Sequence, residues 1–402
     1  METLIIDALR TPRGRGKSTG SLATVTPIEL VCHPLRALKE RHALETDSVE
    51  EVILGCVEPI GEQGGDIGRI AALMSGLGEA VPGIQINRFC SSGLDAINLA
   101  AAKIGSGQSD LVIGGGVESM SRISMGASGG AWATDPQIAS ALHFIPQGIS
   151  GDLVATKYGF DRTACDAVAL RSQECTERAV QEGRFANSLV TVCDQNGIEL
   201  LAVDEHPRPT TTANDLAALR PSFALLGENY GFNDVARLRY PEIETIHHVH
   251  HAGNSSGVVD GAAAVLLASS HAAEQHQLKV RGRIVSCASV GSEPCIMLTA
   301  PGEAARQAIK RAGLKPSDID VWEINEAFAA VVLRFCQELD LELDQVNRCG
   351  GAIALGHPLG ATGAMIFGMA LDELERTHTR YACIALCVGA GQGTATVIER
   401  LS

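Results

Sequence analysis

The sequence predicts an α/β protein made of two copies of one unit, and two observations support this fold class. The 402-residue chain is 45% hydrophobic but only 4% aromatic and contains 43 glycines, as in proteins whose helices pack closely through Ala and Gly. Strand-like runs near the start also reappear in the same order near the end, at a nearly constant offset. The paired runs are 4–8 with 284–288, 52–55 with 321–324, and 111–116 with 384–389.

Each copy alternates strands with Ala-rich helices, which predicts mixed sheets covered by helices on both faces. A segment richer in charge and turn residues separates the copies, with helices predicted at 152–157 and 163–182 and the first copy's last strand at 262–267. An insertion before a last strand is a natural lid or binding region. The expected domains are an N-terminal half (1–120 and 251–272), an inserted loop domain (121–250) and a C-terminal half (273–402).

The composition excludes several classes of partner. The chain has 32 basic and 47 acidic residues, and this net charge of −15 argues against a nucleic-acid partner. No stretch reaches the roughly 18 apolar residues of a membrane span, and the start carries no basic region before its apolar run. The 12 cysteines show no C-x-x-C pair, and residues 400–402 are not a peroxisomal address. We therefore expect a cytoplasmic protein with reduced thiols.

The first candidate catalytic residue is Cys90, which lies between the apolar residues 84–86 and an Ala-rich helical run from Gly93 onward. This spacing places Cys90 where a strand leads into the N-terminus of a helix. Because free N–H groups favour an anion there, we expect a lowered thiol pKa and an available thiolate. Most of the other cysteines are expected to be inert buried thiols.

Three further residues lie in junctions that suit chemistry. His357 stands between a glycine and a proline, so it cannot lie on a helix face, and the glycines around it suit a loop that crowds a ligand. Cys387 ends a strand-like run, and two thiols with one imidazole can transfer an acyl group and a proton without a cofactor. Asn325 also ends a strand-like run, as a helix N-cap or as an amide that fixes a water or a carbonyl.

Three other patterns do not indicate a nucleotide or metal site. Residues 13–18 resemble a phosphate loop, but Thr11 stands where its first glycine is required. The glycine-rich run at 389–393 is followed by a strand-like run instead of the helix of a dinucleotide site. The histidines within 247–251 lack nearby carboxylates or cysteines at ligand spacing, so we predict a structural or CoA-proximal role without metal.

In their order along the chain, several motifs resemble those of one family, the thiolases. They are C-S-S-G at 90–93, G-G-G-V-E-S-M-S-R at 114–122, N-S-S-G at 254–257, N-E-A-F at 325–328, G-G-A-I-A-L-G-H-P at 350–358 and C-V-G at 387–389. The resemblance covers essentially the whole chain. It implies the thiolase-like fold, in which two similar halves with mixed five-stranded sheets carry an inserted, CoA-binding loop domain, and it implies no metal or redox cofactor.

The resemblance also implies roles by position. Cys90 resembles the nucleophile that becomes acylated, His357 the base that activates it, and Cys387 the group that exchanges a proton with the substrate α-carbon or the CoA thiol. Asn325 would hold a water that forms one oxyanion hole with His357, and the backbone N–H groups of Cys90 and Gly389 would form the other. The residues that resemble a CoA site are Arg220, Ser256, Ala327 and Phe328.

The activity implied is that of an acetyl-CoA C-acyltransferase, a 3-ketoacyl-CoA thiolase acting on coenzyme A, acetyl-CoA and 3-ketoacyl-CoA as a homodimer or homotetramer. Residues 87–93 look closer to the degradative thiolases of fatty acid β-oxidation than to biosynthetic ones. A biosynthetic acetoacetyl-CoA thiolase and a non-catalytic thiolase-like lipid-binding protein stay open as alternatives. A decarboxylating ketoacyl synthase would need a histidine where Cys387 stands.

The chain departs from the family pattern in two places. Where the family usually has Ser-Met-Gly, this chain has Pro146-Gln147-Gly148, so an amide replaces a sulfur that commonly contacts the acyl or pantetheine end. The chain is also longer between Phe223 and Asn254 than in compact acetoacetyl-CoA thiolases. Acyl-chain preference and contacts at the adenine end therefore do not carry over from the family.

Overall fold

The computed structural model describes residues 1–401, and Ser402, the last residue of the tripeptide considered above, lies outside them. The strands within these residues are β1 Thr3–Arg10, β2 Gly14–Arg15, β3 Glu51–Gly55, β4 Gly83–Ile86, β5 Leu111–Ser119, β6 Val192–Cys193, β7 Glu199–Leu201, β8 Val259–Ala268, β9 Gly282–Gly291, β10 Val321–Ile324, β11 Tyr381–Val388 and β12 Gln392–Arg400. The α-helices are α1 Pro27–Arg41, α2 Ile67–Met74, α3 Ser92–Gly105, α4 Ala131–Thr134, α5 Pro136–Ala141, α6 Gln147–Tyr158, α7 Arg162–Gln181, α8 Ala213–Ala217, α9 Ala224–Asn229, α10 Phe232–Arg239, α11 Ser270–Gln275, α12 Pro301–Arg311, α13 Ala329–Leu339, α14 Ala352–Leu355 and α15 Thr362–Thr377.

The strands of the two copies lie in mirrored order in the main sheet. This sheet has the order β10-β11-β12-β9-β1-β8-β5-β3-β4, with β2 beside β8, while β6 and β7 form a separate pair. In the first copy β3 and β5 are parallel and β5 and β8 antiparallel; in the second, β10 and β11 are parallel and β11 and β12 antiparallel. The first copy contributes five strands along this path. The second contributes four, with a single bridge between Trp322 and Val346 at its edge.

The two copies are joined through one short antiparallel contact between β1 and β9. Thr3 lies opposite Ile284, and Ile5 lies opposite Gly282. Because the contact connects the inner edge strand of each copy, the two predicted mixed sheets form one continuous sheet.

Two helices form the centre of the molecule. Helix α3 packs against β3 and β5, α15 packs against β1, β10 and β11, and the two helices pack against each other. Leu94 and Ile97 of α3 are fully buried in the same core as Phe367 and Ala370 of α15. Helices α1 and α2 cover the first copy, and α12 covers the second. The N-termini of α3 and α15 meet at this centre and lead into the loops of the candidate site.

The segment 121–250 contains seven of the helices and the β6–β7 pair. The helices predicted at 152–157 and 163–182 are present as α6 and α7, and the strand predicted at 262–267 is present as β8. Helix α7 begins after Asp161, whose carboxylate accepts the Ala164 N–H at 2.7 Å as an N-cap. Both α6 and α7 pack against α13 of the second copy, which brings this segment against the site. None of the helices in residues 1–401 is long and apolar enough to cross a bilayer.

Candidate active site

Cys90 lies in a tight turn between the end of β4 and the start of α3. The Arg88 N–H donates to the Ser92 hydroxyl at 2.9 Å, and that hydroxyl donates to the Phe89 carbonyl at 2.6 Å. Phe89 adopts a left-handed backbone with φ of 45°, which is rare for an aromatic residue and marks a constrained turn. The turn therefore fixes Cys90 at the position that the sequence predicts.

His357 lies in the loop between α14 and α15, and its hydrogen bonds determine which ring nitrogen carries the proton. The His357 backbone N–H donates to the Gly257 carbonyl at 2.8 Å, and Nδ1 lies 2.6 Å from Thr362 Oγ1. Because the Thr362 hydroxyl donates to the Pro358 carbonyl at 3.0 Å, it accepts from His357 Nδ1. Nε2 then keeps a lone pair, with the Asn325 amide nitrogen 3.3 Å away.

Glycines allow the loops that carry Cys90 and His357 to approach each other. A Cβ on Gly93, at the start of α3, would lie 2.6 Å from the Gly360 carbonyl oxygen, and a Cβ on Gly116 in β5 would lie 2.0 Å from that same oxygen. No side chain fits at these distances, so the approach requires glycine at both positions.

The second thiol, Cys387, lies near the end of β11 opposite Gly393 of β12 and is completely buried. The next turn directs the backbone N–H of Gly389 at the Cys90 thiol, which also accepts a hydrogen bond from the Gln147 side chain. Burial, with the neighbouring Cys90 thiol as a further cause, raises the pKa of Cys387 well above its usual value. Cys387 is therefore a protonated thiol at neutral pH.

The expectation of a lowered pKa at Cys90 is wrong for the free protein. Burial raises the pKa of this thiol to about 11, although hydrogen bonds from its own N–H, Gln147 and Gly389 oppose the shift. The thiol packs in a small apolar cluster with Val57 and Met120, and removal of water from the thiolate outweighs the N–H donors.

His357 is uncharged at neutral pH. Burial lowers the pKa of its imidazole to about 3, and the positive charge of Arg13 adds to this shift. The buried pair of Cys90 and His357 is therefore a neutral thiol and a neutral imidazole, not a thiolate and an imidazolium. Nucleophilic attack then requires the proton to move during the reaction.

A cavity of about 740 Å³ has Cys90, His357 and Gly389 in its wall. One aromatic cluster of this wall consists of Phe223 and Phe328, whose ring centroids are 5.9 Å apart. The cavity is lined mainly by apolar and aromatic side chains with few polar groups, as small-molecule sites usually are.

A second aromatic cluster lies next to the nucleophile. The Phe89 ring centroid is 5.6 Å from that of Trp132, which is 4.8 Å from that of Phe144. All three rings line the cavity, and so does Gln147 at the start of α6. The amide that replaces the usual family sulfur therefore lies beside Cys90.

The predicted CoA-binding residues occupy different positions relative to the cavity. Ser256 and Phe328 line it, whereas Ala327 lies behind it and accepts the Ser256 N–H at 3.0 Å through its carbonyl. Arg220 is exposed and does not line the cavity. Wall residues to which the sequence analysis assigned no role in the site include Glu58, Met125, Trp132, Phe223, Ser255 and Met297. Ser255 could have been found within the N-S-S-G motif, but nothing in the local sequence marks Trp132 or Met297.

Three of the four histidines within 247–251 contact carboxylates that lie far away in sequence. His248 Nδ1 and His250 Nδ1 lie 2.6 and 2.8 Å from the two Asp152 oxygens, and His251 Nε2 lies 2.7 Å from Asp166. His250 Nε2 also accepts the Ala330 N–H at 3.3 Å. These contacts give the run a structural role between α6, α7 and α13, and His251 also lines the cavity.

Comparisons with known proteins agree with this arrangement. Family models described as thiolase, N-terminal domain, and thiolase, C-terminal domain, match residues 3–229 and 278–400. A beta-ketoadipyl-CoA thiolase of Acinetobacter baylyi is 40% identical and covers 99% of each chain. A steroid 3-ketoacyl-CoA thiolase of Mycobacterium tuberculosis is 37% identical over 100% of this chain and 94% of its own.

Solved structures are similar over the whole length. Human mitochondrial 3-ketoacyl-CoA thiolase matches with a TM-score of 0.85 and 31% identity, covering 100% of this chain and 99% of that one. The Bacillus anthracis acetyl-CoA acetyltransferase gives the same TM-score at 33% identity and the same coverage. With both family domains present and these relatives matched end to end, the chain belongs to the thiolase family of acyltransferases.

Proposed function

We propose that this thiolase is an acetyl-CoA C-acyltransferase that cleaves 3-ketoacyl-CoA with CoA, or forms it by the reverse Claisen condensation, through an acyl group on Cys90. The observation that carries the proposal is that Cys90, His357 and Gly389 share one cavity wall, with the Gly389 N–H directed at the Cys90 thiol. Cys387 supplies a second buried, protonated thiol beside Cys90.

The first half-reaction transfers the acyl group to the protein. His357 Nε2 takes the Cys90 proton while the sulfur attacks the 3-keto carbon of the substrate. The bond between carbons 2 and 3 then breaks, and its electron pair moves to carbon 2, which takes the proton of Cys387. Acetyl-CoA leaves, and the shortened acyl group stays on Cys90.

The second half-reaction returns the protein to its starting state. The thiol of a new CoA gives its proton to the Cys387 thiolate, and its sulfur attacks the carbonyl carbon of the acyl group on Cys90, so that a new carbon–sulfur bond forms as the bond to the Cys90 sulfur breaks. The Cys90 thiolate leaves and takes back the proton held by His357. Two thiols and one imidazole thus complete the cycle, and all protons balance.

Preorganised hydrogen-bond donors support both half-reactions in this proposal. The N–H groups of Cys90 and Gly389 both donate to the Cys90 sulfur. They would therefore lie near the carbonyl oxygen of an acyl group bound to that sulfur, where negative charge develops during the reaction. The second hole would use His357 and a water held by Asn325. Asn325 Oδ1 is buried without a hydrogen-bond partner in the described residues, which leaves an acceptor for such a water.

We propose that residues 121–250 act as the CoA-binding loop domain between an N-terminal half (1–120 and 251–272) and a C-terminal half (273–402). Ser256 and Phe328 would contact the pantetheine chain, because they line the cavity that contains Cys90. Ala327 would hold Ser256 in place, and Arg220, which is exposed, would reach the phosphates. The buried Ser255 hydroxyl has no partner within residues 1–401 and offers a further donor.

The proposed assembly is a homodimer or homotetramer. We place the dimer contact at the edge strand β4. Strand β4 ends the main sheet, pairs only with β3 in the described residues, and leads directly to Cys90. A cytoplasmic location stays a prediction from the sequence.

Thiolysis assays with acetoacetyl-CoA and 3-oxohexanoyl-CoA test the proposed function. We expect CoA-dependent loss of both substrates, with acetyl-CoA and butyryl-CoA as products of the longer one, and no turnover by Cys90→Ala. A biosynthetic acetoacetyl-CoA thiolase would use only the shorter substrate, and a lipid-binding protein would use neither. The second aromatic cluster favours the degradative alternative, because it gives room and apolar surface beyond an acetyl group.

A further inference from the structure

The cavity wall near Cys90 contains one carboxylate and no cation among the described residues. Glu58 lines the cavity and is only 3% exposed. Both of its oxygens are held by backbone N–H groups of the segment after β5: Gly126 donates to one, and Ser128 donates to the other at 2.7 Å. The Glu58 side chain is therefore fixed in the wall, directly after Val57, which packs in the same apolar cluster as Cys90 and Phe89.

Two arginines close in sequence to residues of the cavity wall, Arg122 and Arg88, are paired with carboxylates outside the cavity. Arg122 makes a bidentate contact with Glu62, at 2.7 Å for one of its two hydrogen bonds. Arg88 forms an ion pair with Asp95 and also donates to Gln392 at 3.2 Å. Neither arginine lines the cavity, so neither offers its charge to a bound acyl chain.

A terminal carboxylate on the acyl chain would lose its water in this cavity without gaining a cation. It would lie in a cavity whose wall contains the rings of Phe89, Trp132 and Phe144 and the carboxylate side chain of Glu58. Buried charges without a partner are strongly disfavoured, and a like charge in a wall of low polarity adds repulsion. An uncharged apolar chain loses no such hydration and gains contact with the same rings.

We propose that this site selects 3-ketoacyl-CoA substrates with an uncharged, apolar acyl chain and rejects those whose chain ends in a carboxylate, with Glu58 as the residue that sets this selectivity. The inference rests on the proposed thiolase activity. It separates this chain from the relatives named for beta-ketoadipyl-CoA, whose substrate carries a terminal carboxylate.

A matched pair of substrates tests the proposal in the wild-type protein. 3-Oxohexanoyl-CoA and 3-oxoadipyl-CoA both have six-carbon acyl chains, and only the second ends in a carboxylate. We expect kcat/KM for 3-oxohexanoyl-CoA to be at least about 100-fold higher, the discrimination typical of a charge placed without a partner. Ratios within about threefold, or a preference for 3-oxoadipyl-CoA, would overturn the proposal.

Glu58→Gln tests the residue itself. This variant removes the charge and keeps one oxygen acceptor for the backbone of residues 126–128, so we expect kcat/KM for 3-oxoadipyl-CoA to rise about tenfold and that for 3-oxohexanoyl-CoA to change less. The matched control is Glu79→Gln, which removes an exposed charge outside the cavity and should leave the ratio unchanged. If Glu58→Gln leaves both the melting temperature and the ratio of kcat/KM for the two substrates unchanged, Glu58 does not set the selectivity.

A second variant covers the case in which Glu58→Gln does not fold. Met125→Lys places a cation at an exposed position of the cavity wall and should raise relative activity on 3-oxoadipyl-CoA. Thiolysis of acetoacetyl-CoA tests the thiolase activity independently of the selectivity between the six-carbon substrates. Thiolysis of acetoacetyl-CoA without discrimination between the six-carbon substrates contradicts only the selectivity, whereas no thiolysis of any substrate contradicts the proposed function as well.

Discussion

The Nδ1 atom of His357 lies 2.6 Å from the hydroxyl oxygen of Thr362, five residues later at the start of α15. This contact holds the imidazole in the tautomer whose Nε2 is free to accept a proton. The orientation of the base thus depends on one hydroxyl at a helix terminus, and this dependence can be measured.

Thr362→Val removes that acceptor while keeping the side-chain shape. We expect kcat for thiolysis to fall at least about tenfold with little change in KM, since general-base catalysis contributes about 10²–10⁴-fold and depends on the correct tautomer. Thr362→Ser keeps the hydroxyl and should retain most of the activity. Equal losses in both variants would show that the methyl packing matters and the hydrogen bond does not.

Single variants of the two cysteines should distinguish the role of Cys90 in acyl transfer from the role of Cys387 in proton transfer. Cys90→Ala should abolish covalent acylation, whereas Cys387→Ala should lower turnover about 100-fold or more and still accept an acetyl group on Cys90 from acetyl-CoA. Intact-protein mass spectrometry detects the acetyl adduct of about 42 Da. Cys383→Ala is the matched control, because Cys383 is equally buried on the same face of β11. An adduct that persists in Cys90→Ala would mean that the roles are wrong.

The raised pKa of Cys90 predicts the pH dependence of its alkylation. With a pKa of about 11, only about one thiol in ten thousand is ionised at pH 7. The rate of iodoacetamide labelling at Cys90, followed by peptide mass spectrometry, should therefore rise about tenfold per pH unit from pH 7 to pH 10. A plateau that begins near pH 7 would indicate a thiolate paired with an imidazolium instead.

Gln147→Met tests the amide beside the nucleophile. A buried amide needs hydrogen bonds that an apolar chain cannot give, so the thioether should shift relative kcat/KM toward longer apolar acyl chains. The variant also removes a hydrogen bond that lowers the pKa of Cys90, so labelling of Cys90 at fixed pH should slow. Gln137→Met, at an exposed position of α5, is a control outside the cavity. Unchanged ratios across a chain-length series would place Gln147 outside the acyl site.

The contacts of Asp152 predict a structural function for the histidine run. Burial favours a raised pKa for this carboxyl, but hydrogen bonds from His248 and His250 outweigh it and lower the pKa. The stabilisation is therefore present above the unfolded carboxyl pKa near 4 and is lost as the pH falls below it. Asp152→Ala leaves the Nδ1 atoms of both histidines and the backbone N–H groups of residues 249 and 250 without this partner, and should cost about 3–5 kcal/mol in urea unfolding.

The exposed pair of Lys157 and Glu242 provides a control for this variant, because Glu242→Ala should change stability by less than about 1 kcal/mol. Zinc content is a separate measurement. Stoichiometric zinc in chelator-washed protein, with activity lost on chelation, would contradict a metal-free role for the run.

The sequence was sufficient to predict what depends on local pattern. The strand positions, the mixed sheets and the junction at Cys90 follow from the spacing of apolar residues and glycines along short stretches. The pKa of Cys90 could not be predicted in this way. It depends on Val57, Met120 and Leu359, which come from three distant segments and together exclude water from the thiol.

The shape of the cavity could not be predicted from local sequence patterns either. Trp132 lies in a short helix of an irregular segment, and only packing against Phe89 and Phe144 brings it to the site. The Glu58 side chain is likewise placed by backbone groups about 70 residues away in sequence. Long-range contacts of this kind leave no periodic signal in one sequence.

The close packing of Gly93 against Gly360 has a consequence for the newly made chain. Cys90 leaves the ribosome early, but the loop that carries its base, and the strand that carries Cys387, emerge near the end of synthesis. The catalytic constellation cannot assemble on a nascent chain until almost the whole polypeptide is available. An unfinished chain therefore lacks the base and the second thiol that turnover requires.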